Sequence, residues 1–304
     1  MKPDSVAGPG GHWLTEIDTQ EGLILITRAP PPPRGAGPVR PAAPTPSPMS
    51  SSTALVGSFA APQRGVQRDR WFYTVASLVL LFLLVAGFHR FYLEGKGFDG
   101  NKVPAAVLGV VLVHGLSLTL WVILFFVQSL LIGTKNKPLH MKLGWGAAAV
   151  GAVIAVSGPI VAVVSVRLRG NFPIYGMTYS QFMLPMLSEM VAFATFVILG
   201  LSFRMKHLQA HRAMMLLATL AVISGATART EFVAELLGET TWWGLFGGPF
   251  ILGATFLLVR SLLTRRLDRP LAAGYAAFVV FFVASSYAAH TPTWGRIAAA
   301  IVGR

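Results

Sequence analysis

Seven histidines are the first residues in this chain to weigh for chemistry, because imidazole both exchanges protons near neutral pH and binds metals. His114 carries the most information. It lies inside the long apolar run Val103–Ile132, together with Ser117, Trp121 and Gln128. His114, Trp121 and Gln128 recur every seven residues and Ser117 follows His114 by three, so on a helix all four share one face. The remaining positions are mostly Val, Leu, Ile and Phe. At 1.5 Å per residue His114 would lie roughly 16 Å from the nearer helix end. An ionisable group at that depth belongs against other protein and needs a partner. It could be a haem ligand, a proton relay or a substrate contact, or a neutral histidine hydrogen-bonded to a neighbouring helix. Glu189 is the only acid inside any apolar segment. It lies at a comparable depth, so a carboxylate–imidazole pair between Glu189 and His114 is expected, with a protonated or water-reached acid as the alternative.

His140, His207 and His211 form a second set near helix ends. His207 and His211 are four apart, and one helical turn could offer both to a metal or to haem iron. Without a fixed carboxylate the same residues read equally as interfacial histidines. His89 and His290 also look interfacial, and His12 falls in the tail. The chain has no cysteine, which excludes thiolate chemistry and disulfides. It has no phosphate-binding glycine loop, dinucleotide fingerprint, HExxH or nucleophile elbow.

The elements that must position these residues follow from composition. Hydrophobic residues make up 54% and charged residues only 12%, well below the charge content of soluble domains. Seven apolar segments lie near Trp71–Tyr92, Val103–Ile132, Leu143–Val166, Ser180–Phe203, His211–Ala228, Trp242–Leu263 and Leu271–Ala289. About 20 residues of helix cross the hydrocarbon core; His211–Ala228 is the shortest of the set. The backbone must be satisfied internally in lipid, and the runs lack the alternation of barrel strands. The expected fold is an all-α polytopic transmembrane bundle of about seven helices over residues 71–304. Residues 1–70 form a Pro/Ala-rich, disordered cytoplasmic tail, with a small hairpin from Leu14–Asp18 and Leu23–Thr27. The tail has no apolar core of signal-peptide length, and Met49 is a second plausible translation start. In the third segment Gly144, Ala148, Gly151, Ala155, Gly158, Ala162 and Ser165 form a ridge of small residues, which serves close helix packing.

The net charge of +13 is not evenly placed. Arg64, Arg68 and Arg70 precede the first segment. Lys135, Lys137 and Lys142 follow the second, Arg204, Lys206 and Arg212 the fourth, and Arg260, Arg265, Arg266 and Arg269 the sixth. Only Asp69 and Asp268 oppose them, whereas the other loops carry Glu94, Asp99, Glu231, Glu235 and Glu239 among their basic residues. This bias puts the N-terminus and the even-numbered connections in the cytoplasm. It also accounts for the basic excess without nucleic acid, leaving the lipid bilayer, membrane-protein partners or a second copy as the expected contacts.

Val113-His114-Gly115 with Trp121 and Gln128, Leu139-His140 with Leu143-Gly144, and His211-Arg212 with Leu216–Thr219 together resemble a group of uncharacterised bacterial multi-helix membrane proteins. They are similar to a domain of unknown function described as a predicted membrane protein, over roughly residues 71–230. The resemblance implies a bacterial inner-membrane location and a shared pattern containing His114, His140 and His211. His207 stands outside it, and Asp268-Arg269 replaces a histidine expected before the proline near position 270. The resemblance brings no activity. The histidines point to a membrane redox or electron-transfer component binding haem b or quinone. A proton-coupled transporter and a non-catalytic assembly subunit are the alternatives.

The charge bias makes a direct prediction. Reporter fusions after Gly133, Gln209 and Leu267 should report a cytoplasmic position, and fusions after Gly97, Gly170 and Gly238 an external one. Reversal at two of these sites would overturn the assignment.

Overall fold

The computed structural model describes residues 63–96, 102–170, 172–238 and 240–303, together with three short strands nearer the N-terminus. Those strands, β1 (Val6–Ala7), β2 (Trp13–Thr15) and β3 (Ile26–Thr27), pair antiparallel in that order, within a unit spanning Met1–Gly57. Leu14 pairs with both Val6 and Thr27, so the expected hairpin is present in part and gains a third strand. The Pro/Ala-rich stretch lies outside the described residues.

The second unit, Ser58–Arg304, is helical. It comprises α1 (Gln63–Glu94), α2 (Ala105–Gly133), α3 (Lys137–Arg169), a hairpin of β4 (Pro173–Ile174) and β5 (Met177–Thr178), then α4 (Tyr179–Phe203), α5 (Leu208–Ala221), α6 (Ser224–Thr227), α7 (Glu231–Leu237), α8 (Trp242–Thr264), α9 (Arg269–Ala289) and α10 (Pro292–Val302). Six helices, α1–α4, α8 and α9, are long and apolar enough to cross a bilayer. Large apolar side chains such as Phe82, Val156, Ile198, Leu258 and Val280 remain exposed on their outer faces, as a lipid environment requires. Side-chain caps set many of the boundaries. Thr178 and Gln181 form a reciprocal capping box at α4, while Asn136, Thr241, Asp268 and Thr291 each accept a backbone N–H at the starts of α3, α8, α9 and α10.

The fifth apolar segment differs from its expected form. The sequence suggests one helix over His211–Ala228, but α5 stops at Ala221 after 14 residues, about 21 Å of rise against a core of about 30 Å. Val222 and Ile223 break the helix, α6 adds one turn, and α7 follows. The three pieces still traverse the bundle. His211 Nδ1 meets Gly200 O near the end of α4, while Glu231 pairs with Arg90 near the end of α1. A half-length helix is tolerated because it is wrapped by α4, α9, α8, α2 and α1; Ala213, Leu216, Leu217, Ala218, Thr219 and Leu220 are completely buried.

Two elements were not foreseen. β4–β5 turns through Tyr175 and Gly176, whose φ angles are +48° and +74°, the left-handed pair that a tight hairpin needs. α10 turns Trp294, Ala298 and Val302 inward against the bundle and leaves Ile297 and Ile301 exposed. Trp294 Nε1 donates to Ser180 O at 2.9 Å and so fastens α10 to α4.

At the opposite, basic end, Arg260 and Asp268 form a buried ion pair. Arg260 Nε donates to Asp268 Oδ2 at 3.1 Å, with side chains 5% and 1% exposed. The guanidinium also sits 5.5 Å from the Phe72 ring centre and 5.4 Å from that of Tyr73. Asp268 Oδ1 meanwhile caps α9 through Leu271 N. Both residues count as loop charges in the sequence; here they lock α1, α8 and α9 together. Asp268→Asn, which keeps a capping oxygen but removes the charge, should cost about 3–5 kcal/mol, the usual penalty for breaking a buried pair. Joint replacement with Arg260→Met should recover part of that loss in thermal unfolding. If the double variant is no better than the single one, the ion pair is not what holds this corner.

Candidate functional site

A cavity of about 300 Å³ lies in the half of the bundle away from the basic end. α1, α2, α3, α4 and α6 line it, with the β4–β5 turn. Its walls are mainly Val, Leu, Phe and Met, and its polar members include His114, Glu189, Ser224, Arg229, Tyr175 and Tyr179.

Close backbone approach positions these groups. A Cβ on Gly158 would fall 2.2 Å from Met190 Sδ and 3.2 Å from His114 Cε1, so glycine leaves room here for both side chains against α3. Ser157, beside it, then meets His114 Nδ1 at 2.9 Å. Ser157 Oγ also reaches back to Ile154 O at 3.5 Å. The hydroxyl can donate to one neighbour and accept from the other, and the 2.9 Å contact holds the His114 ring in place with Nε2 as its second nitrogen. The small-residue ridge therefore packs α3 as expected, with Gly151, Gly158 and Ala162 buried, and it also aims His114.

α6 is seated in the same manner. A Cβ on Gly87 would lie 2.2 Å from Ala226 O, and one on Gly248 would lie 2.6 Å from Thr227 Cβ. Held between α1 and α8, α6 presents Ser224 Oγ as a donor to Glu189 Oε1. Arg229 donates to Gly225 O at 2.6 Å, stacks 4.8 Å from the Phe88 ring centre, and lies in electrostatic range of Glu189, Tyr175 and Tyr179.

The expected His114–Glu189 contact is not made. Both residues line the cavity, but each is hydrogen-bonded to a serine on a different helix, Ser157 or Ser224. The α2 stripe does face the bundle. Trp121 is buried, donates to Thr219 Oγ1 at 3.2 Å and packs edge-on against Phe193 at 4.8 Å. Ser117 is half-buried without a side-chain hydrogen bond among the described residues. Gln128 is buried, and neither of its amide atoms has a partner.

His140 and His211 come together at the basic end, their ring centres 6.5 Å apart. His207 does not join them: it is exposed at the start of α5, with its ring 5.9 Å from Phe203. Among the described residues no group of three or more His, Cys, Asp or Glu could hold a metal, so the three-histidine arrangement is not assembled. His89 and His290 bond to Ala86 O and Ser286 O in their own helix ends.

Sequence reasoning missed Ser224, Arg229, Tyr175 and Tyr179. The available signal was the polar, small run Ser224-Gly225-Ala226-Thr227 inside an otherwise apolar segment, which marks a place where a helix can break. No family model, curated protein or solved structure matches the chain.

A double-mutant cycle on thermal stability separates these contacts. His114→Ala with Glu189→Gln should be additive to within about 0.5 kcal/mol, whereas His114→Ala with Ser157→Ala should show coupling of about 0.5–3 kcal/mol. Strong coupling in the first cycle would contradict the separate serine partners.

Proposed function

We propose that this chain is a bacterial inner-membrane redox component, its basic end in the cytoplasm, whose cavity takes up a quinol of the isoprenoid class from the lipid phase. The observation that carries this reading is the make-up of the cavity, in which apolar walls meet an imidazole, a carboxyl group and an arginine. A quinone head is flat, lipid-soluble and polar only at its two oxygens, and a mostly apolar pocket with a few convergent polar groups suits such a ligand.

In the oxidative direction, a quinol hydroxyl donates to His114 Nε2 and passes its proton there. Glu189 receives the second proton, and the Ser224 hydroxyl holds its carboxylate in place. Two electrons leave singly to a one-electron acceptor of the metal-centre class, so one quinol yields one quinone, two protons and two electrons. Arg229 keeps a positive charge beside the carboxylate and the departing protons. Tyr175 and Tyr179 also line the cavity.

One observation favours a second reading. A broken helix whose loose backbone borders a cavity is the usual architecture of a transport site, and Val222–Ser224 has that form. Reconstituted protein distinguishes the two. For the redox reading, a short-chain benzoquinol should bind saturably, and His114→Ala should weaken binding tenfold or more. Proton flux across vesicles that requires Glu189, with no quinol binding, would replace the redox reading by the transport one.

A further inference from the structure

The second inference concerns the end of the bundle that the cavity does not reach. His140 opens α3 and His211 lies in the first turns of α5, so they approach from helices separated by the whole of α4. Each ring is oriented by a backbone carbonyl: His140 Nδ1 meets Gln128 O at 3.3 Å, and His211 Nδ1 meets Gly200 O at 2.8 Å. A carbonyl can only accept, so both rings carry the proton on Nδ1 and both keep a lone pair on Nε2. This is the orientation that metal-binding histidines receive from their surroundings. Neither Nε2 has a hydrogen-bond partner among the described residues.

The separation of the rings fits a shared centre. With metal–nitrogen bonds of about 2.0–2.1 Å, two imidazoles on opposite sides of one metal have ring centres about 6 Å apart. Here they are 6.5 Å apart, with planes at 84°.

A second, independent feature sits beside the pair. Gln128 is only 8% exposed, yet neither its Nε2 nor its Oε1 has a partner. A buried side-chain amide with both ends unsatisfied is rare in a folded protein. Its own carbonyl holds His140, and its Nε2 lies 3.6 Å from where a Cβ on Gly144 would be, one turn of α3 beyond His140. On the other side, a Cβ on Gly200 would fall 2.7 Å from Met215 Sδ. Glycine there allows α5 to seat against α4 and brings His211 to the Gly200 carbonyl.

We propose that His140 and His211 form a bis-imidazole site for a transition-metal centre at the basic end of the bundle, with the Gln128 amide as a polar neighbour of the bound group. This goes beyond the quinol reading and does not depend on it. Arg212 and Arg204 lie in electrostatic range of His211, which disfavours a bare dication. Two centres suit a pair of imidazoles at this separation in positive surroundings. One is a haem iron, whose carboxylate side chains offset the arginines; the other is a monovalent copper ion, which imidazole binds with low coordination number. The shared chemistry would be imidazole nitrogen on a soft or borderline metal.

The test uses the full chain, expressed with haem precursor and copper supplied, purified in detergent, and examined by metal analysis and visible spectroscopy. A haem centre gives stoichiometric iron with a Soret band; a copper centre gives stoichiometric copper without one. Either result supports the site, provided that His140→Ala and His211→Ala each reduce the content at least tenfold. His207→Ala and His114→Ala should leave it unchanged, and His114→Ala separates this site from the quinol cavity. Should either ligand variant fold poorly, His140→Gln and His211→Gln, checked by thermal unfolding, serve in its place. Wild-type protein with neither centre would overturn the proposal, as would a centre that survives loss of both histidines.

Discussion

Backbone that is not helical cannot face hydrocarbon, because its N–H and C=O groups would have no partner there. The fifth crossing of this bundle meets that constraint by withdrawal from lipid. α5 ends at Ala221, Val222 and Ile223 leave the helix, and α6 supplies only one turn. Such a segment survives only if continuous helices surround it, and the longer helices packed around α5 and α6 do so. The order of neighbours, the burial of α5 and the location of the cavity all follow from the need to shelter this break.

Shelter at this closeness requires small residues on the sheltering helices. Gly87 and Gly248 bring α1 and α8 directly onto α6, and Gly158 brings α3 within reach of His114 and Met190. At the basic end the arrangement is different. Arg260 and Asp268 bind α8 and α9 beneath the Phe72 and Tyr73 rings, so charge and aromatic packing fasten what glycine contacts fasten elsewhere. A buried pair of this kind adds less to net stability than to the definition of one arrangement. That suits a corner where three helix ends must meet in one register.

The long helices were legible in the sequence because length and apolarity are local properties, and six of the seven segments stand as continuous helices. The α2 stripe was legible for the same reason, since a repeat of seven fixes one face whatever surrounds it. Partners were not. Nothing in the spacing says that His114 would meet Ser157 on α3 while Glu189 met Ser224 on α6, because both serines answer to helix rotation and crossing angle. Arg229, Arg260 and Asp268 were read as loop charges, since sequence separates a buried ion from a solvated one only by its neighbours in space. His140 and His211 were legible as residues near helix ends, and the structure brings their rings together. α10 escaped because its small apolar face, Trp294, Ala298 and Val302, is too short for a crossing segment.

The two ends of the molecule are joined by a single element. α2 carries His114 into the cavity and, 14 residues later, offers the carbonyl of Gln128 to His140, a rise of about 21 Å along one rigid helix. Midway between them Trp121 is fixed by Thr219 of α5 and Phe193 of α4. The Trp121 ring lies tight against Gly151, where a Cβ would sit 3.1 Å away, and its indole cannot turn without giving up its bond to Thr219. The stripe read from the seven-residue spacing is therefore fixed at its middle by α3, α4 and α5 together, which sets the rotation of α2 about its own axis and with it the face on which both His114 and Gln128 lie.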